Sequence, residues 1–195
     1  MLNRPGHAWC AVALALALGS AFAAVVPTAA LDWQPALAWR EPWRAWTAAF
    51  VHYSALHRAA NAAGLLLVAA LGIAARVPPR LALAWLAAWP LTQLGLLAQP
   101  ALLHYGGLSG VLHAGVAVAA LYLAWRGGRG ERWIGAALLG GLAIKVIGEA
   151  PWGAPLRHPA GWDIAVAPAV HACGLAAGLL CAAVALVWKG RRSTR

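Results

Sequence analysis

The feature that most constrains this chain is a series of long apolar blocks that carry almost no charge. The blocks fall at 8–26, 50–75, 81–98, 109–125, 133–148 and 167–188. A bilayer core offers no water to the backbone, so a spanning segment must satisfy its own hydrogen bonds, and runs of about 20 apolar residues read as helices. The chain is 63% hydrophobic and 10% charged over 195 residues, too little charge to cover a soluble domain of this size. The expected fold is an all-α membrane protein, a six-transmembrane-helix bundle forming one domain over 1–195. No polar stretch is long enough for a second domain. Pro78-Pro79, Gly127-Gly128 and the Pro151 and Pro155 region punctuate the blocks.

The net charge of +10 could suggest nucleic acid, but its placement argues for topology instead. With the N-terminus in the cytoplasm, Arg4, Arg76, Arg80, Arg126, Arg129, Arg132, Lys189, Arg191, Arg192 and Arg195 share the cytoplasmic side. The outer connections hold Arg40, Arg44 and Arg157. Basic residues collect on the cytoplasmic side of membrane proteins. Both termini are therefore expected in the cytoplasm. Trp33, Trp39, Trp43, Trp46, Trp152 and Trp162 are expected to form an outer aromatic belt. Ala21-Phe22-Ala23 also resembles a signal-peptide cleavage site, but cleavage would leave five spans and conflict with a cytoplasmic C-terminus, so a retained first helix is preferred. Cys10, Cys173 and Cys181 form no CxxC pair and read as small buried hydrophobes.

Polar groups inside spans are costly and mark function by default. Here they gather near the outer ends: His52, His57 and Asn61 opening the second block, Gln93 in the third, Ser109 and His113 opening the fourth, Lys145 and Glu149 closing the fifth, and His171 starting the sixth. Ser109 follows Gly106-Gly107-Leu108 and precedes Gly110. Glycines allow close substrate approach, and a helix start supplies free N–H groups for an oxyanion. Ser109 is thus either a nucleophile or a helix cap. His171 lies three residues before Gly174 in a Gly174-x3-Gly178 face that admits a neighbouring helix. It is either the base for Ser109 or a packed histidine bonded to a carbonyl. His57 and Asn61 share a helical face at i, i+4 and could hold a tetrahedral oxyanion. A metal site from His52 and His57 is disfavoured because no carboxylate lies near them in that block. No metal or cofactor is expected. Lys145 and Glu149, at i, i+4, either neutralise each other or recognise substrate.

These residues resemble the rhomboid family of intramembrane serine proteases. His52-x4-His57-x3-Asn61 resembles its second-helix motif, Gly107-Leu108-Ser109-Gly110 its Gly-x-Ser-Gly, and His171-x2-Gly174-x3-Gly178 its sixth-helix motif. The resemblance implies a Ser–His dyad without a carboxylate, with Ser109 as nucleophile and His171 as general base. The oxyanion would be held by His57, Asn61 and the Ser109 N–H. His52 and His113 would support them, and Gly107 and Gly110 would shape the loop. Where many rhomboids carry a tyrosine that stacks on the catalytic histidine, this chain has His113, expected to stack on or orient His171 rather than to compete with it as the base.

Glu41-Pro42-Trp43-Arg44, Gly107 through His113, Lys145-x3-Glu149 and the short chain are similar to the rhombosortase branch. That similarity implies membrane-anchored substrates bearing a C-terminal Gly-Gly motif, a transmembrane helix and a basic tail. It implies a multi-pass protein of the bacterial inner membrane with its site toward the periplasmic face. The competing classes are a catalytically inactive rhomboid-like protein that binds transmembrane partners and a small histidine-dependent transporter. Intact Ser109 and His171 argue against the first. The lack of an internal repeat argues against the second.

Overall fold

The structure, a computed structural model, describes residues 5–188. Arg4, Lys189, Arg191, Arg192 and Arg195, expected from the sequence on the cytoplasmic side, lie outside the described residues. Among the described residues six long helices dominate: α1 (His7–Ala23), α2 (Ala55–Ala74), α3 (Pro79–Leu94, continued by the 3-10 turn Gly95–Ala98), α4 (Ser109–Arg126), α5 (Arg129–Gly148) and α6 (Pro168–Val187). Three of these stretches are long and apolar enough, by length and composition, to cross a membrane: α2, Pro79–Ala98 and α6. α1 is a shorter apolar helix.

Local chemistry sets the helix starts. Pro79 and Pro168 occupy first-turn positions of α3 and α6, where a missing N–H costs nothing. Glu131 accepts the Gly128 N–H at 2.7 Å at the start of α5. Ser54 caps α2, its hydroxyl accepting the His57 N–H at 3.0 Å. α2 therefore begins at Ala55, five residues later than the apolar block suggests. Ala48–Phe50 form a 3-10 turn, and Val51 is extended. Hydropathy registers apolar content but not the backbone break that the extended Ser54 imposes. His52 accordingly sits in the turn before α2 rather than on it.

α4 is the central helix, packed against α2, α3, α5 and α6. Ala114, Ala117, Val118, Ala119 and Ala120 on it have no exposed surface. Small side chains let neighbouring backbones come close, the main source of helix association in lipid. The closest approach is to α6: a methyl group on Gly174 would overlap the carbonyl oxygen of Gly110, and one on Gly178 would crowd that of Ala114. Indole N–H groups tie the bundle further. Trp9 on α1 donates to the Val68 carbonyl at 2.9 Å, and Trp85 on α3 donates to the Val111 carbonyl at 2.8 Å. The two indoles stack with centroids 4.3 Å apart. Both of these buried indole N–H groups thus have an acceptor.

The connection between α1 and α2 folds into a small cap with its own apolar cluster around Trp33, Leu96, Leu102 and Val170. Trp33 is fully buried, not part of an outer belt. Its backbone pairs with that of Tyr105 through two hydrogen bonds of 2.7 and 2.9 Å, which pulls the ring inward. Trp39, at 84% exposure, and Trp152, at 71%, do project outward. Arg44, counted above as an outer charge, is also buried. Its Nε donates to Glu41 Oε2 at 2.6 Å. Its Nη1 donates to the carbonyls of Ala29 and Asp32 at 2.9 and 2.8 Å and to Asp32 Oδ1 at 3.3 Å. Arg44→Met should destabilise the protein by about 3–5 kcal/mol, because it leaves the buried Asp32 charge without its cation. Thermal unfolding in detergent measures this. An unchanged midpoint would show that the network contributes nothing.

Candidate active site

Ser109 is the first residue of α4 and His171 lies in the first turn of α6. Because Gly174 rests on the Gly110 carbonyl, those two first turns are held side by side. Ser109 Oγ is 3.0 Å from His171 Nε2. The other ring nitrogen, Nδ1, is 2.6 Å from Glu149 Oε2. An ionised carboxylate only accepts, so Nδ1 carries the proton. Nε2 is then free to accept from the Ser109 hydroxyl. Burial works to raise the Glu149 carboxyl, but the hydrogen bonds from His171 and Lys145 outweigh it and hold the group down at about 2. Glu149 is therefore ionised at any physiological pH.

Lys145 Nζ lies 2.6 Å from Glu149 Oε1. The i, i+4 pair read from the sequence is formed, but it does not stand apart as a simple neutralised pair: the glutamate also reaches across to α6. His113 stacks on His171, with centroids 4.2 Å apart and planes 13° from parallel. Its Nδ1–H donates to the Ser109 carbonyl at 2.7 Å. It contacts His171 by its face and makes no ring-nitrogen bond to Ser109 Oγ.

A cleft of about 680 Å³ opens onto these groups, lined among others by His57, Asn61, Ser109, His113, Glu149 and His171. Asn61 Nδ2 and His57 Nδ1 are buried without hydrogen-bond partners among the described residues. An unpaired buried donor such as Asn61 Nδ2 is costly, and a donor in the same cleft as a serine hydroxyl suits an oxyanion. The backbone N–H groups of the first turn of α4 have no partner within the helix and add to the same corner. Gly107 has φ of +150°, and a Cβ there would press on the His57 ring. Only glycine allows the loop to pass this close to His57. Gly110 is enclosed by Thr92 and Val170. His52 does not line the cleft. It packs edge-on against His57 at 5.0 Å and donates from Nδ1 to the Phe50 carbonyl at 3.0 Å. Gln93 is fully buried, its amide unpartnered, and lies away from the cleft lining.

Sequence reasoning missed two features. The first is the reach of Glu149 to His171. The second is Asp32, buried in the cap, which accepts from Gln34 Nε2 and His104 Nδ1 at 2.8 Å each and from the Tyr53 hydroxyl at 3.3 Å. Through these bonds the cap grips the loop that delivers Ser109, and Gly107 N–H donates to the Ala48 carbonyl at 2.9 Å. The available signal was that Asp32 is one of only five acidic residues in the chain. Among the described residues no three His, Cys, Asp or Glu side chains converge to hold a metal.

The chain matches no family model, and no curated protein matches it significantly.

Proposed function

We propose that this protein is an intramembrane serine endopeptidase of the rhomboid type, in which all six long helices cross the inner membrane of a bacterium and both termini face the cytoplasm. The observation that carries the reading is the 3.0 Å approach of Ser109 Oγ to His171 Nε2 at the floor of a cleft that also presents unpaired buried donors. Ser109 Oγ adds to the scissile carbonyl carbon while its proton passes to His171 Nε2. The carbonyl electron pair becomes an oxyanion beside His57, Asn61 and the Ser109 N–H. Collapse breaks the C–N bond, and the Nε2 proton leaves with the amine. Water then attacks the acyl ester, giving one proton to His171, which returns it to Ser109 Oγ as the C–O bond breaks.

A helical substrate hides its carbonyls in internal hydrogen bonds, so it must unwind first. Glycine lowers that cost by about 1 kcal/mol per residue. This supports membrane-anchored substrates with a Gly-Gly segment ahead of a transmembrane helix and a basic tail, the class processed by rhombosortases. They would be cut near the periplasmic face.

A fluorophosphonate probe tests the core of the proposal without a natural substrate. The expected result is stoichiometric labelling of the detergent-solubilised protein, mapped by peptide mass spectrometry to Ser109 and absent from Ser109→Ala. Labelling elsewhere, or none in a folded sample, would remove the hydrolase reading.

A further inference from the structure

We infer that Glu149 is a positioning residue that completes a Ser109–His171–Glu149 relay, and that Lys145 tempers it by occupying the second carboxylate oxygen. The inference rests on the reading of Ser109 and His171 as the reacting pair, and it replaces the two-residue dyad that the sequence resemblance implied.

Three observations support it. The first is the division of contacts: Oε2 is 2.6 Å from His171 Nδ1 and Oε1 is 2.6 Å from Lys145 Nζ. A glutamate serving only to neutralise Lys145 has no need of the histidine. The second is position. Glu149 caps the C-terminal end of α5, where the helix dipole disfavours a carboxylate and favours a cation. Lys145 suits that end; Glu149 does not, so helix stability does not account for it. The third is the backbone that follows. Ala150 has φ of +47°, a left-handed conformation that costs a residue with a Cβ roughly 1–2 kcal/mol. Strain of this kind persists where surrounding structure holds it, often at functional sites. It ends α5 immediately after Glu149, leaving the carboxylate at the helix terminus facing α6.

The chemistry follows from these contacts. As His171 takes the Ser109 proton it becomes an imidazolium, and Glu149 is the anion in contact with its Nδ1–H. The carboxylate also fixes the tautomer that leaves Nε2 free to accept. Lys145, whose charge lies one carboxylate away, repels the imidazolium as it forms. The other titratable groups lining the cleft are His57 from α2, His113 from α4, and Arg157 and His158 from the connection before α6.

The test is the rate of fluorophosphonate labelling at Ser109 as a function of pH in wild type, Glu149→Gln, Glu149→Asp and Lys145→Gln. Glu149→Gln should label roughly 100-fold more slowly or worse, and its acid limb should move down by about one pH unit as the imidazolium loses its anion. Lys145→Gln should lose far less rate, and its acid limb should move up, because a repelling cation is gone. Glu149→Asp, which keeps the charge on a shorter arm, should recover part of the rate lost in the glutamine variant. A merely structural ion pair predicts something else: both single variants lower the rate equally and leave the acid limb in place. That result would overturn the inference while leaving the hydrolase reading intact. Should Glu149→Gln not fold, the opposite limb shifts of Glu149→Asp (down) and Lys145→Gln (up) decide in its place, and unmoved limbs in both overturn the inference. Wild-type protein that does not label at Ser109 would instead sink the underlying reading, and the relay with it.

Discussion

Ser109→Ala is expected to abolish cleavage of a membrane reporter that carries a Gly-rich segment, an apolar helix and an Arg cluster at its C-terminus, a loss on the order of 10⁵-fold or more. The alanine variant keeps the first turn of α4, since Leu108 rather than Ser109 occupies the cap position, so insertion and folding should be unaffected. His171→Ala should be comparably inactive. The double variant should be no worse than either single one, because nucleophile and base act as a unit and their losses do not add. Immunoblotting of reporter fragments in cells, beside membrane levels of the protein, measures all three. Cleavage surviving in Ser109→Ala would end the proposal. Activity lost in His113→Ala and retained in His171→Ala would reassign the base.

The second large effect requires no change in reactive chemistry. Gly174→Ala puts a methyl group where the Gly110 carbonyl oxygen now lies. The obstacle is backbone, which cannot rotate away as a side chain could. The first turns of α4 and α6 must separate, and those turns hold Ser109 and His171. Overpacking of this kind costs roughly 1–3 kcal/mol, while a displacement near 1 Å at the reacting atoms costs about 10²-fold in rate. The variant should therefore remain folded and membrane-inserted, yet label with fluorophosphonate at least about 100-fold more slowly. A Gly174→Ala protein with full labelling would show that the two turns are not held together by this contact.

The sequence was informative wherever chemistry and periodicity coincide. Gly174 and Gly178 marked a packed face, and His171 shares their burial on it. His57 and Asn61, one helical turn apart, face one cleft. The membrane character was legible from the apolar blocks, though the length and composition of the helices establish three candidate crossings, not six. Backbone breaks were less legible. Ser54 delays α2 and takes His52 off the helix, because a polar cap outweighs the apolar residues before it. Trp33 read as a belt residue because hydropathy cannot distinguish an indole in lipid from one paired into a folded cap. The role of Glu149 is the least legible in the sequence. Its partner lies 22 residues away across an irregular connection, and no period links them. The usable signal was physical: an acid at the wrong end of a helix, followed by a histidine in the first turn of the next.

The way α5 is held has one more consequence. It packs chiefly on α4 and hardly on α6, and Gly130, Gly140, Gly141 and Gly148 along it face open space. Ser109 and His171 are locked to each other by touching backbones, whereas Glu149 is carried on the end of a helix that is held by α4 and has little contact with α6. Helices adjust their tilt to the thickness of the lipid around them, at modest cost per ångström of mismatch. If α5 crosses the bilayer, as proposed above, lipid acyl-chain length acts on the carboxylate while leaving the serine and histidine in place, and the surrounding membrane becomes a determinant of how well the histidine is oriented.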